Sequence, residues 1–291
     1  MPNVVLFLRA PSDAPDRYES VFSEAGYTPL SVPVLETVFV NLETLTEIVR
    51  SGSSQYGAVI ITSGRACEAW SKAVEVLKNE RTPDEESDWS STPFYVVGKS
   101  TQFSLKAIGE AHPDSRFAPL DIRGESSGTS EQLAKFIVSD LETSPLPKGK
   151  RLLYLTGDKN RDTLPDILHA GNVELGPLQV YQTQGSSSFF DDLNLALESS
   201  AHRESHIWWI VFFAPSTAEF VAPFIRHHFD LHPVEHAATL ARRDARIASI
   251  GPTTSAFLRD NLGVSVAAQA LKPTPGDLLQ AISAYDRARD V

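Results

Sequence analysis

Two constellations in this sequence have residue types suited to chemistry, and both fail on spacing. His227, His228, His232 and His236 contain pairs four residues apart, the interval that sets two imidazoles on one helix face where they can share a metal ion. Pro233 interrupts that helix and no glutamate completes a His-Glu-x-x-His pattern, so a solvated helix end is expected and no metal site. Gly124-Glu125-Ser126-Ser127-Gly128 matches the Gly-x-Ser-x-Gly of a nucleophile elbow and follows a strand expected over Phe117–Ile122. An elbow runs into its helix directly at the serine. Here Thr129 or Ser130 is the natural N-cap, with Glu131 and Gln132 in the first turn, so hydrolase chemistry is not expected.

What recurs instead is a set of Gly, Ser and Thr loops, each following an apolar segment. They are Thr62-Ser63-Gly64-Arg65, Gly98-Lys99-Ser100-Thr101, Gly128-Thr129-Ser130, Pro215-Ser216-Thr217 and Gly251-Pro252-Thr253-Thr254. Each is expected to open a helix, so that its backbone N–H groups and hydroxyls face the crevice at the carboxyl ends of the strands, where anions bind. The ligand they suit carries several negative groups over a long span, held by N–H donors and the positive ends of helix dipoles. Arg9, Arg65, Lys99, Lys159 and Arg161 would add local positive charge. Neither Gly-x-Gly-x-x-Gly nor Gly-x-x-x-x-Gly-Lys-Ser/Thr occurs, which removes the usual fingerprints of dinucleotide and P-loop binding.

The elements that must position these loops are legible as strand-length runs at Val4–Leu8, Ala58–Ile61, Phe94–Val97, Leu152–Leu155, Ile207–Phe213 and Ile247–Ile250. Each is followed by a turn and a segment of helical period, the rhythm of parallel sheets covered by helices. The runs do not alternate, as strands buried on both faces should not. Asn79–Ser91 is acidic and polar and reads as a mobile surface loop, with further irregular stretches at Ser199–Ser205 and Phe229–Ala245.

The chain of 291 residues predicts two domains, and 42% apolar against 22% charged residues predicts buried cores. Lys and Arg number 26 against 37 Asp and Glu, and the net charge of −11 argues against a nucleic-acid or anionic-membrane partner. The single cysteine, Cys67, excludes an intrachain disulfide and reads as a small buried apolar side chain. No signal peptide is expected at the N-terminus, and the longest apolar run, Ile207–Pro215, is too short to cross a bilayer. A cytoplasmic protein is expected.

The two halves of the chain repeat each other. Val4–Ala10 is similar to Arg151–Gly157, Pro29–Thr37 to Pro177–Thr183, Gly57–Ala66 to Trp209–Ala218, Tyr95–Thr101 to Ala248–Thr254, and Gly128–Ile137 to Pro273–Ile282. The offset stays within about 145 to 153 residues, so one α/β unit was duplicated. Two similar domains would face each other across a cleft lined by matching loops.

An ordered series of segments then resembles the uroporphyrinogen-III synthases, nearest the eukaryotic ones. It runs Ile61-Thr62-Ser63-x-Arg65-Ala66, Val96-Val97-Gly98-x-x-Thr101, Gly157-x-x-x-Arg161-Asp162, Val180-Tyr181-Gln182-Thr183, Phe212-Phe213-x-Pro215-Ser216, Ile250-Gly251-Pro252-Thr253-Thr254 and Pro273-Thr274-Pro275 with Leu278. Gly64 and Thr217 depart from the Pro and Gly common at those places. The resemblance implies two parallel-sheet α/β domains, residues 1–37 with 184–291 and residues 38–183, joined by a two-stranded β linker near 35–40 and 180–184. It implies a hinged pair that closes on its ligand, and conversion of hydroxymethylbilane to uroporphyrinogen III by a monomer with no metal or organic cofactor. Tyr181 matches the family's tyrosine at the domain junction and becomes the candidate hydrogen-bond donor to the departing hydroxyl, while the loop residues, with Arg9, Gly157 and Arg161, become candidate substrate-binding groups. A non-catalytic binding module for a polyanionic small molecule is the alternative, and a Rossmann-like enzyme for phosphorylated sugars or nucleotides a third reading.

Overall fold

A computed structural model describes residues 3–12, 14–78, 88–113, 115–147, 149–199, 207–231 and 243–289. In chain order the first elements are β1 (Val4–Leu8), α1 (Arg17–Glu24), β2 (Thr28–Ser31), β3 (Leu35–Phe39), α2 (Leu42–Ser51), β4 (Tyr56–Ile61), α3 (Gly64–Leu77) and β5 (Phe94–Val96). They continue as α4 (Lys99–Ala111), β6 (Ile122–Arg123), α5 (Ser130–Thr143), β7 (Arg151–Thr156), α6 (Thr163–Ala170), β8 (Leu175–Gln179) and β9 (Tyr181–Gly185). The last are α7 (Phe189–Ser199), β10 (Trp208–Phe212), α8 (Pro215–His228), β11 (Phe229–Asp230), β12 (Arg243–Ser249), α9 (Pro252–Asp260), β13 (Ala268–Gln269) and α10 (Pro275–Arg287).

These form two compact units, Met1–Glu36 with Gln184–Val291, and Thr37–Thr183. The chain leaves the first unit through β3 and returns through β9, and these two strands pair with each other. The sheet of the first unit has the order β11-β12-β10-β1-β2, with β13 also on β12. That of the second is β6-β5-β4-β7-β8. Every recorded ladder within the two sheets is parallel. The repeated segments occupy matching places: β1 corresponds to β7, β2 to β8, β10 to β4 and β12 to β5.

Both faces of each sheet are covered, which explains strands without alternation. In β1, Val4, Leu6 and Leu8 pack with α7, α8 and α9, while Val5 and Phe7 pack with α1 and α10. In the second unit, Val59 and Ile61 of β4 meet α2, α3 and α4, while Ala58 and Ile60 meet α5 and α6. Two of these helices, α10 and α5, are also pinned by polar contacts. Asp286 of α10 accepts from Trp209 Nε1 (3.2 Å), Tyr27 Oη (2.9 Å) and Asn3 Nδ2 (3.1 Å) and pairs with Arg246 at 2.5 Å. Asp140 of α5 accepts from Tyr95 Oη (2.7 Å) and Arg123 Nη1 (2.8 Å).

Three sequence expectations need correction. The strand expected over Phe117–Ile122 is only Ile122–Arg123. Phe117 and Ala118 are buried in a turn whose Phe117 carbonyl accepts from Trp70 Nε1 at 3.1 Å, and Pro119 has no N–H to offer a ladder. The segment Asn79–Ser91 is not a mobile surface loop at its end. Residues 79–87 lie outside the described residues, but Trp89 is fully buried, packs edge-on against Trp70 and donates its indole N–H to the Val49 carbonyl at 2.8 Å. Likewise Phe229–Ala245 is not irregular at its ends: Phe229 is buried, and β11 pairs with the start of β12. Residues 200–206 and 232–242 lie outside the described residues.

Removing Trp89 empties the space under α2 and α3 and leaves the Val49 carbonyl with the Gly52 N–H alone, at 3.2 Å. Trp89→Ala is therefore expected to cost about 3–5 kcal/mol in urea unfolding. A loss under about 1 kcal/mol would place that indole at the surface instead.

Candidate functional site

Parallel pairing sends every strand of a sheet toward the same edge, so the helices that follow all start there. In the second unit Ser63 caps α3, its hydroxyl accepting from Ala66 N at 3.2 Å, and Thr129 caps α5, accepting from Gln132 N at 3.2 Å. Gly98 is the cap residue of α4. In the first unit Ala214 and Gly251 precede α8 and α9, and Thr274 caps α10 through Asp277 N. Pro stands at the first helical position of α8, α9 and α10, where no N–H is needed, and Gly64 holds that position in α3.

Gly98 and Gly251 hold matching positions in the two sheets. Both backbones are extended, at φ −169° and 173°, and a Cβ on either would meet nothing within 4 Å. Neither conformation nor internal packing therefore calls for glycine. What the missing side chain leaves is bare backbone at the positive end of a helix.

The hydroxyls of these loops divide by helical position. Thr101, Thr217 and Thr254 each stand third in their helix, four residues before the core residues Leu105, Val221 and Leu258, and so share the buried face. They are 6%, 7% and 4% exposed, and the Thr217 hydroxyl is spent on the Ala214 carbonyl at 2.8 Å. The loop expectation is corrected accordingly: the surface of these turns is Lys99, Ser100, Ser216, Pro252 and Thr253, all exposed. Gly128 and Thr129 are exposed and Ser130 half-buried. Ser126 lies in the turn ahead of the Thr129 cap, and Gly124, at φ 84° and with Leu133 where a Cβ would stand, is a packing glycine rather than part of an elbow.

At the ends of β4 and β7 a second group assembles. Tyr181 is half-buried against the core of its unit, its ring resting on Gly157. The Arg65 guanidinium lies 5.8 Å from the centre of that ring and donates to Thr183 Oγ1 at 3.4 Å. Thr62 hydrogen-bonds the Tyr154 hydroxyl, and burial pushes the Tyr154 phenol above its ordinary pKa, so it is neutral at physiological pH. Tyr154, Asp158 and Asn160 were not singled out from sequence. Only the Gly157-x-x-x-Arg161 spacing pointed to their loop.

The cations differ in what they face. Lys99, Lys159 and Arg161 are exposed and have no ion-pair partner among the described residues. Arg9 is the exception to the expected free positive charge. Its two Nη atoms bond both oxygens of Asp16 at 3.1 and 2.8 Å, and it stacks 4.9 Å over Tyr18. Asp16 is also the cap of α1, accepting from Tyr18 N and Glu19 N. Arg9 thus first serves that turn. His227 and His228 end α8, while His232 and His236 lie outside the described residues. Among the described residues no group of three ligating side chains could hold a metal ion, and no helix is long and apolar enough to cross a membrane. Cys67 is buried against the Thr101 carbonyl at 3.7 Å, and burial pushes its thiol up to about 12.

Two parallel α/β units of matching strand order, each with its helix N-termini at the strands' carboxyl edge, define a duplicated, doubly covered α/β protein. Residues 16–280 match the family of uroporphyrinogen-III synthase HemD, and the chain belongs to that family. It is 27% identical to uroporphyrinogen-III synthase of Saccharomyces cerevisiae over 97% of this chain and 96% of that protein. It is also 27% identical to the Schizosaccharomyces pombe enzyme, with the same coverage. The solved uroporphyrinogen-III synthetase of Helicobacter pylori aligns with 98% of this chain and 99% of its own, at 18% identity and a TM-score of 0.45.

The Arg9 guanidinium, with N–H groups of Ser12 and Glu19, outweighs burial and holds the Asp16 carboxyl well below the usual carboxylate range. A depressed folded pKa means stability that is present above the unfolded value and lost as pH falls through the folded one. Asp16→Asn should cost about 1–3 kcal/mol at pH 7. The gap to wild type should narrow below about pH 4, measured by urea melts at pH 7 and pH 3. A pH-independent gap would remove the charge from the account.

Proposed function

We infer that the protein is a lyase that closes the linear tetrapyrrole hydroxymethylbilane into uroporphyrinogen III, inverting ring D and releasing water. The family match over residues 16–280 carries this reading. The open backbone at Gly98 and Gly251 supports it, because the substrate is a long polyacid and these turns offer N–H donors free of side chains. Exposed Lys99, Lys159 and Arg161 fit the same anion, while the net charge of −11 disfavours nucleic acid. The protein acts as a cytoplasmic monomer in this reading.

Chemically, the bilane must lose its hydroxyl from the terminal methylene, the C–O bond breaking to leave an azafulvenium cation. The substituted carbon of ring D then attacks that cation, the resulting spiro centre fragments at its older bond, and ring D closes again in the opposite sense. The hydroxide leaves as water, and the ring carbon returns the proton. Positioning dominates such a sequence. Tyr181 is the proposed hydrogen-bond donor to the leaving hydroxyl: its phenol is half-buried beside Gly157 and the Arg65 guanidinium. Thr62, Ser63, Arg65, Ser100, Ser216 and Thr253 are proposed to hold the substrate's side-chain carboxylates and its chain.

Fresh hydroxymethylbilane should yield predominantly uroporphyrin III after oxidation and chromatographic separation of isomers. Isomer I alone, at the rate of the blank and from folded protein, overturns the activity and leaves a binding module. Tyr181→Phe should lower turnover about a hundredfold with the melting temperature unchanged, more than Ser100→Ala or Thr253→Ala do singly. Equal, near-wild-type rates for all three would remove the donor role.

A further inference from the structure

We propose that Asn160, with Asp158, is a positioning residue that fixes the phenol of Tyr181 through the backbone of Gly157; the inference rests on the activity proposed above. After β7 ends at Thr156 the chain turns through Gly157, Asp158, Lys159 and Asn160 into α6. The last three of these are exposed, yet Gly157 is buried. The Asn160 carboxamide closes on it from both sides, Oδ1 accepting from Gly157 N at 3.3 Å and Nδ2 donating to Gly157 O at 2.6 Å. One side chain thereby ties down both peptide groups that flank the Gly157 Cα.

That Cα is the seat of the phenol. A Cβ on Gly157 would stand 2.5 Å from Cε2 and Cζ of Tyr181 and 2.8 Å from its hydroxyl oxygen, so the oxygen end of the ring lies directly on the Gly157 Cα. The same loop grips β9 a second time. Asp158 Oδ1 accepts from Thr183 N at 3.2 Å, two residues beyond Tyr181 on the same side of the strand. Thr183 in turn accepts from Arg65. The loop thus fixes the phenol's height above the sheet and the slide of its strand, while Arg65 bounds its outer face. Asn160 and Asp158 are themselves exposed and fill no space in the core. A hydroxyl that must meet one carbon–oxygen bond has a use for such precision, because a misplacement of about 1 Å costs on the order of a hundredfold in rate.

Steady-state formation of uroporphyrinogen III from hydroxymethylbilane, corrected for spontaneous closure, tests this. Asn160→Ala is expected to lower kcat about tenfold with KM changed less than about twofold in protein that remains folded at the assay temperature, as its melting curve checks. In a Tyr181→Phe background the same substitution should change kcat no further, since both act through one hydroxyl. Asp158→Asn, which keeps an acceptor oxygen for Thr183, should retain more activity than Asp158→Ala. Gly157→Ala should lower kcat by displacing the ring; if it does not fold, the other variants decide. An unchanged kcat for Asn160→Ala, a change confined to KM, or losses that multiply with Tyr181→Phe overturn the inference. Failure of the wild-type protein to make isomer III overturns the activity reading instead.

Discussion

Because each strand of both sheets runs parallel to its neighbours, the carboxyl ends of a whole sheet are forced to one edge, and the helices that follow the strands among the described residues begin there. Everything chemical in this molecule follows from that geometry. Ser63, Gly98, Thr129, Gly251 and Thr274 are far apart in the sequence, yet within each unit they arrive at the same edge as cap residues. The backbone donors of a helix's first turn have no partner inside the helix, so an edge made of such turns is electropositive without a net positive charge. An acidic protein can hold a polyacid on these terms.

The same constraint decides which charges are spent on the fold. Arg9 leaves β1 at the carboxyl edge but is neutralised by Asp16, which also caps α1. Arg246 and Arg123 sit on strands and pair with the aspartates that pin α10 and α5. Arg65, Lys99 and Arg161, by contrast, are exposed in or beside the first turns of helices. Arg9, Arg123 and Arg246 are thus structural, while Arg65, Lys99 and Arg161 lie where the helix ends already favour an anion.

Duplication adds a further feature. The repeat in the sequence divides the chain near its middle, but the folded units do not. β1, α1 and β2 belong to the first copy and pack with β10 and β12 of the second; β7, α6 and β8 belong to the second copy and pack with β4 and β5 of the first. Each unit is therefore completed by a segment from the other copy, and the chain passes between units at β3 and β9, which pair with each other.

The sequence by itself determined most of the strand runs, the helix starts at Ser63 and Thr129, and the repeat, because each depends on local physics: apolar runs of strand length, a hydroxyl two or three residues before a free N–H, and the copying of one pattern. The family resemblance lay in the same local segments. Tertiary structure decided what local pattern cannot encode. It placed polar-looking Trp89's segment into the core through the Val49 carbonyl, spent Arg9 on Asp16, turned Thr101, Thr217 and Thr254 inward, and set Tyr181 on Gly157 with Asn160 beneath. Those outcomes depend on which strands become neighbours, and that order is fixed by packing over the whole sheet rather than by any window of residues.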